Sequence, residues 1–182
     1  GATSEGEWHE AMNFSAIHGV PVIWLCENNQ WAISTPISKQ MRNTTVADRA
    51  AAYGMEGVSL DGFDPIAVYM AVRTAREKAV AGDGPTLIEA KCYRFLSHTT
   101  DDDDRTYRTR DEVEKQRSLD PVPRFEQYLI DHDVLARDAI EKLRGEIAQH
   151  VNDMTDRIEA EPLPNPSTLY TQVYAGSTEP WI

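Results

Sequence analysis

The chain has 182 residues, of which 41% are hydrophobic and 26% charged, a composition typical of a soluble globular protein with one sizeable core. Its 30 acidic residues against 18 Lys and Arg give a formal net charge of −12. A body this negative repels polyphosphate, which disfavours nucleic acid as a partner. No apolar run approaches the length of a membrane span, so no membrane partner is expected. Cys26 and Cys92 both lie in apolar runs and are expected to be buried free thiols in a reducing compartment.

The first 26 residues predict a helix followed by a strand. Ser4 and Glu7 fit a capping box at the helix start, and Gly19 followed by Pro21 predicts where it ends. The next segment, VPVIWLC at residues 20–26, is apolar throughout. Such a run is typical of a parallel strand covered on both faces.

The alternation of helix and strand then recurs twice. Residues 45–53 predict a short helix before a strand at 57–60, and residues 64–81 predict a long helix before a strand at 85–93. This rhythm predicts an α/β fold with a doubly wound, mainly parallel sheet, in which the three strands lie parallel.

The C-terminal part of the sequence does not continue the alternation of helix and strand. A polar loop at residues 94–110 precedes helical patterns near 111–117, 121–131 and 136–160 and a proline-rich tail. We therefore predict two parts, an α/β domain at residues 1–110 and, at residues 111–182, a helical extension. We expect this extension and its extended tail to pack on the same domain or on a partner subunit.

Candidate ligand-binding residues lie at the expected edge of the sheet, because doubly wound sheets bind ligands at the carboxyl ends of their strands. Gly1 before the first helix would let the backbone approach a diphosphate, which the free N–H groups of the first turn would face. Asn28 and Asn29 follow the first predicted strand. An asparagine amide oxygen is a hard ligand suited to Mg²⁺, although Asn-Asn also favours a simple turn after a strand.

Four separated blocks that span essentially the whole chain carry a resemblance to a known family. They read GATSEGEWHEAMNFSA, ENNQWAIS, YRFLSHTTDDDDRTYRTRDEVE and PNPSTLYTQVY. In the first two, Gly1 and Asn28-Asn29 resemble parts of the thiamine-diphosphate motif. Together the blocks resemble the alpha subunit of the decarboxylating component of 2-oxo acid dehydrogenase complexes, above all the branched-chain type. The family resemblance implies a partial thiamine-diphosphate-binding fold, with the N-terminal half of the subunit outside this sequence.

The resemblance also implies a site with thiamine diphosphate and Mg²⁺ as cofactors. Gly1 and Ala2 would contact the diphosphate through their backbone. Asn29 would bind the metal through its side chain and Trp31 through its carbonyl oxygen. His98 would face the cofactor's reactive end and support acyl transfer, since its pKa suits proton exchange near neutral pH. Without the resemblance, a lone loop histidine would be interpreted as a solvated residue.

The loop around His98 resembles the catalytic loop of the family. Arg94, Tyr107 and Arg108 match positions that brace it. With mixed charges and almost no apolar anchor, the loop is expected to be mobile by itself and to become ordered with the cofactor.

Glu27 departs from the pattern. The mammalian branched-chain enzymes carry an arginine there that meets the diphosphate. A glutamate would repel that anion, so Glu27 is not assigned to the cofactor site.

The activity implied is oxidative decarboxylation of a branched-chain 2-oxo acid with acyl transfer to a lipoyl domain, an oxidoreductase reaction. Implied partners are the beta subunit of a heterotetramer and a lipoyl-bearing acyltransferase, in the bacterial cytoplasm or the mitochondrial matrix. Two alternatives stay open: a pyruvate or acetoin dehydrogenase alpha subunit, and a non-catalytic α/β interaction module.

Overall fold

A computed structural model describes residues 1–171. The strands of this part are β1 (Ile23–Asn28), β2 (Trp31–Ala32), β3 (Thr35–Pro36), β4 (Glu56–Asp61) and β5 (Thr86–Lys91). The α-helices are α1 (Gly6–Ile17), α2 (Pro65–Ala81), α3 (Arg110–Arg117), α4 (Pro121–Asp131) and α5 (Arg137–Glu159). The predicted mixture and order of elements is confirmed.

The main sheet consists of β1, β5 and β4, in that order and all parallel. Thr86 pairs with both Ile23 and Glu56, so the three strands begin at the same level. At their carboxyl ends, Asn28 and Asp61 both pair with Lys91. The predicted parallel arrangement is therefore confirmed, and residues that follow the strands emerge at one edge of the sheet. A separate hairpin of β2 and β3 follows β1 at this edge.

The capping box predicted for the first helix is wrong. Ala2–Ser4 form a turn of 3₁₀ helix, and Glu5 occupies the N-cap of α1 without a side-chain hydrogen bond. Ser4 lies one position too early to cap this helix, because the 3₁₀ turn shifts its start. The end of the helix is as predicted, with Gly19 at φ 58°, a left-handed conformation that favours glycine.

The other predicted helix starts agree better with the structure. Residues 45–53 contain a 3₁₀ helix, Ala47–Tyr53, in front of which the Thr45 hydroxyl accepts a hydrogen bond from the backbone N–H of Asp48 (3.1 Å). Asp64 caps α2 by accepting 3.0 Å hydrogen bonds from the backbone N–H groups of Ile66 and Ala67. These bonds satisfy N–H groups that have no partner inside the helix.

The core lies between the sheet, α1 and the 3₁₀ helix. Met12 on α1, Ala50 and Met55 pack against Leu87 on β5. Gly57 allows β4 to approach the 3₁₀ helix, because a Cβ atom there would overlap the carbonyl oxygen of Ala47 and lie 2.9 Å from the Cβ of Ala50. The close contact holds the 3₁₀ helix on one face of the sheet.

The chain forms two compact units, residues 1–128 and the residues from 129 onward. The division predicted at residue 110 stays a prediction. In α5, Ile140 is buried, whereas five apolar residues that follow it at helical spacing are exposed: Leu143, Ile147, Val151, Met154 and Ile158. The predicted extended tail contains a 3₁₀ helix at Pro166–Tyr170, and its last part, residues 172–182, lies outside the described residues. Within residues 1–171, no helix combines the length and the apolar character that crossing a membrane requires.

Candidate functional site

A cavity of about 360 Å³ opens at the carboxyl end of β1. Four of the five predicted site residues line it, namely Gly1, Ala2, Asn29 and Trp31. They come from two separate segments, the turn before α1 and the loop after β1. The fold thus brings together residues that the sequence separates by a helix and a strand.

The loop after β1 is a tight turn that presents Asn29 to the cavity. The Asn29 N–H donates to the carbonyl oxygen of Glu27 (3.0 Å), and its side-chain oxygen accepts from the N–H of Trp31 (3.0 Å). Gln30 between them has φ 71°. Asn29 therefore stabilises a turn, as the simpler interpretation of Asn-Asn expects, and also lines the cavity.

Another wall of the cavity is formed by Gly1 and by the 3₁₀ turn that follows it, Ala2–Ser4. The carbonyl oxygen of Gly1 accepts from the N–H of Ser4 (2.9 Å). Arg49 holds this turn by donating to the carbonyl oxygen of Thr3, and its guanidinium lies 5.5 Å from the ring centre of Trp8. Arg49 also lines the cavity, as does Glu27, so both signs of charge are present. Sequence patterns gave no indication of the role of Arg49.

His98, the predicted catalytic residue, does not line the cavity. It is exposed on the loop after β5, and its backbone N–H donates to the Asp102 carboxylate (2.8 Å). The same carboxylate oxygen accepts from the Tyr107 hydroxyl (2.5 Å). These two hydrogen bonds, that from Tyr107 first, hold the pKa of Asp102 below its usual value. Because the rings of Tyr107 and Trp31 are 5.3 Å apart, the loop lies beside one wall of the cavity.

The three residues that match bracing positions form hydrogen bonds inside the loop and to a neighbouring segment. Arg94 donates to the carbonyl oxygen of Ile33 (2.7 Å) and to the Tyr107 hydroxyl (2.9 Å). Arg108 is only 4% exposed; it pairs with Asp104 at 2.6 Å and donates to the carbonyl oxygens of Arg94 and Leu96.

The small number of apolar anchors therefore does not leave the loop without fixed contacts. Its charges pair with one another and with backbone carbonyl groups. The expected dependence of its order on a cofactor stays a prediction.

A buried carboxylate next to the cavity was missed in the sequence. Glu89, at the centre of β5, is 0% exposed and accepts a 2.6 Å hydrogen bond from the Asn28 side-chain amide. Burial by itself would raise the pKa of Glu89, but hydrogen bonds from Val46, Asn28 and Ser59 outweigh this effect and lower it. The available signal was an acidic residue inside the apolar run TLIEAK, since an unpaired charge is almost never buried.

The two thiols are free, as predicted, but they are half-buried instead of buried. Burial, followed by the negative charge of Glu89, raises the pKa of Cys26 to about 11. Burial likewise raises the pKa of Cys92. Both groups are protonated at neutral pH. Among residues 1–171, no three side chains of His, Cys, Asp or Glu are grouped so that they could hold a metal ion.

Comparison with known proteins identifies the family. Residues 1–167 match the family described as "Dehydrogenase E1 component". The chain belongs to this family. The dehydrogenase E1 component match includes both cavity walls and the loop of His98.

Named relatives of this E1 component chain come from bacteria and from mitochondria. The 2-oxoisovalerate dehydrogenase subunit alpha of Bacillus subtilis is 44% identical over 96% of the chain and 53% of that protein. The pyruvate dehydrogenase E1 component subunit alpha of Acholeplasma laidlawii is 40% identical over 88% of the chain and 47% of that protein. The mitochondrial 2-oxoisovalerate dehydrogenase subunit alpha of Mus musculus is 40% identical over 96% of the chain and 40% of that protein. The chain thus spans about half the length of the curated relatives it matches.

Proposed function

We propose that the cavity at the end of β1 binds thiamine diphosphate and Mg²⁺ as part of a 2-oxo acid dehydrogenase alpha subunit. The observation that carries this proposal is that four of the predicted site residues line one cavity: Gly1, Ala2, Asn29 and Trp31. Their position at the carboxyl edge of a parallel sheet is where such folds bind ligands. Membership of the dehydrogenase E1 component family supports the same assignment.

The oxygen atoms proposed as metal ligands at the cavity suit a hard cation such as Mg²⁺. The Asn29 amide oxygen accepts one hydrogen bond, from the Trp31 N–H, and retains a second lone pair for a metal ion. The Trp31 carbonyl oxygen would be the second protein ligand. Because Mg²⁺ prefers six oxygens and keeps several waters, these two ligands are a partial set. The diphosphate and water would supply much of the remainder.

The positive charge at the cavity comes from Arg49 and from the backbone N–H groups near the start of α1. N–H groups at a helix start attract anions. Glu27 opposes this attraction from the other wall. We therefore propose that Arg49 offsets Glu27, so that the wall of Gly1 and Ala2 faces the diphosphate.

Thiamine diphosphate, when bound, would supply the carbon nucleophile that allows CO₂ to leave a 2-oxo acid. The role proposed for His98 is proton exchange while the acyl group passes to a lipoyl domain. Since His98 is exposed and outside the cavity wall, this role requires the loop to bring its side chain toward the cavity.

The names of the relatives favour a branched-chain 2-oxo acid as the substrate, with pyruvate as the second candidate. The partners that we propose are a beta subunit and a lipoyl-bearing acyltransferase. Turnover of 3-methyl-2-oxobutanoate against pyruvate by the assembled enzyme decides between the substrates.

Cofactor binding to the assembled component, measured by calorimetry, tests the site. Asn29→Ala should weaken the binding of thiamine diphosphate with Mg²⁺ at least about tenfold, because one metal ligand is lost. Asn152→Ala, on the exposed surface of α5, is the matched control and should leave binding unchanged. Unchanged binding in Asn29→Ala would instead support a non-catalytic interaction module.

The role of His98 needs a separate measurement. His98→Ala should lower kcat by about a hundredfold, the scale of a lost proton-transfer group, while the Kd for thiamine diphosphate stays the same. His150→Ala on α5, also exposed, is the control. Full activity of His98→Ala would show that His98 is an ordinary solvated histidine.

A further inference from the structure

We infer that Glu89 is a positioning residue whose buried carboxylate holds both walls of the cavity in place. One wall is the turn at residues 28–31, and the other includes the 3₁₀ helix Ala47–Tyr53 with Arg49. This inference rests on the proposed function of the cavity, because it concerns the geometry offered to the cofactor.

The first wall connects to Glu89 through Asn28. The Asn28 side-chain amide donates to Glu89 (2.6 Å), while its side-chain oxygen accepts from the N–H of Gln30 (3.1 Å). The Gln30 side chain returns a hydrogen bond to the carbonyl oxygen of Asn28 (3.2 Å). Glu89 thus fixes which end of the Asn28 amide faces the turn, and this orientation supports the left-handed conformation of Gln30 between Asn29 and Trp31.

The second wall connects to Glu89 through the start of the 3₁₀ helix. The other carboxylate oxygen of Glu89 accepts a hydrogen bond from the N–H of Ala47 (3.3 Å), and the backbone of Val46 provides a further one. Two residues later, Arg49 reaches the carbonyl oxygen of Thr3 in the turn of Gly1 and Ala2. The carboxylate therefore acts as a cap that sets the position of Arg49.

Only a side chain with two acceptor oxygens can accept hydrogen bonds from the donors of both walls at once. Donors approach both oxygens of Glu89, the Asn28 amide at one and the Ala47 N–H at the other. A glutamine at this position would turn its own NH₂ group toward one of these donors. In a fully buried place, such a conflict has no water to relieve it.

This reasoning predicts that a second substitution rescues the first. Glu89→Gln places two donors face to face at Asn28 or at Ala47. Adding Asn28→Asp removes the conflict, because the introduced carboxylate accepts from the glutamine NH₂ and still accepts from the N–H of Gln30. Asn28→Asp alone brings two carboxylates together and should also be damaging.

The experiment uses the assembled component and measures the Kd for thiamine diphosphate with Mg²⁺ by calorimetry, well below each variant's melting temperature. Glu89→Gln should raise the Kd at least about tenfold, as expected for the loss of a group that orients metal ligands. The double variant should return the Kd to within about threefold of the value for the unsubstituted protein. A threefold difference is smaller than the increase of about tenfold or more that follows the loss of a group orienting a metal ligand. If Glu89→Gln does not fold, the comparison is made between Asn28→Asp alone and the double variant, where the same rescue is expected.

Ser59→Ala is the matched control, because Ser59 also bonds Glu89 but is exposed and belongs to neither wall. It should lower the melting temperature without changing the Kd. Hydrogen exchange without cofactor should quicken at residues 28–31 and 47–50 in Glu89→Gln and not in Ser59→Ala.

A wild-type Kd in Glu89→Gln, or a double variant no better than the single ones, would overturn the inference. Absence of cofactor binding in the unsubstituted protein would instead overturn the proposed function, and the exchange data would still report on the two walls.

Discussion

The two arginine–aspartate pairs of the loop provide a direct test of how burial changes the value of an ion pair. Arg108–Asp104 and Arg105–Asp103 both have N···O distances of 2.6 Å. The Arg108 side chain is 0% exposed, whereas that of Arg105 is 63% exposed. We predict that Arg108→Met strongly destabilises the loop at residues 94–110, and that Arg105→Met has little effect.

The magnitude follows from the groups that Arg108→Met leaves without a partner. The substitution removes the cation from Asp104 and the donors from the carbonyl oxygens of Arg94 and Leu96. Breaking a buried pair on one side costs about 3 to 5 kcal/mol. The core around Met12 and Leu87 does not include these groups, so the effect should appear as local opening of the loop.

Hydrogen exchange followed by mass spectrometry measures this opening. At 1.4 kcal/mol for each factor of ten, protection in residues 94–110 should fall by a factor of about 10² to 4 × 10³. Arg105→Met is the control, because water screens an exposed pair and little stability depends on it. Equal protection in Arg108→Met and the unsubstituted chain would refute the reasoning, as would equal losses in the two variants.

Three further predictions concern the reactivity of one thiol and the effects of two glycine substitutions on stability. Because the pKa of Cys26 is about 11, against an ordinary value near 9, its thiolate fraction at pH 8 should be about a hundredfold smaller than that of a free thiol. Alkylation by iodoacetamide, read by peptide mapping, should be correspondingly slow, and labelling as fast as that of a free cysteine peptide would contradict this. Gly57→Ala should destabilise the fold by about 1 to 3 kcal/mol, since the new Cβ meets the Ala47 carbonyl oxygen. At Gly145 an added Cβ would point into open space, so Gly145→Ala should stabilise α5 by about 1 kcal/mol. Denaturation followed by circular dichroism measures both, and effects of the same sign would contradict the packing argument.

The sheet could be predicted from the sequence because its strands have a local signature. β5 is buried on both faces along Thr86–Ala90, so its apolar run has one reasonable interpretation. The start of α1 could not be predicted to the residue, because the turn at Ala2–Ser4 competes with the capping box and nothing in the local pattern favours one over the other.

The candidate site was predictable only in part, for a physical reason. Asn29 and Trp31 lie in a short motif that carries the family resemblance. Glu89 and Arg49 act through partners far along the chain, such as Asn28 and Thr3, and such contacts depend on strand register rather than on spacing. In the loop, a contact at short spacing was overlooked. Counting its charges suggested a segment with no anchor, but Arg108 and Asp104, four residues apart, satisfy each other.

The order of the strands has a consequence for how the chain acquires its structure. Within residues 1–171, the central strand β5 is the last of the three in the sequence, and β1 and β4 each pair with it and not with one another. Among residues 1–171, the strand that joins β1 and β4 into one sheet is therefore the last of the three along the chain. Pairing β1 with β5 also closes a loop of about 60 residues, and contacts at such separations slow folding. The connection between residues 23–28 and 56–61 thus depends on Thr86–Lys91, and the strand edges that β5 covers are exposed to aggregation until it has paired.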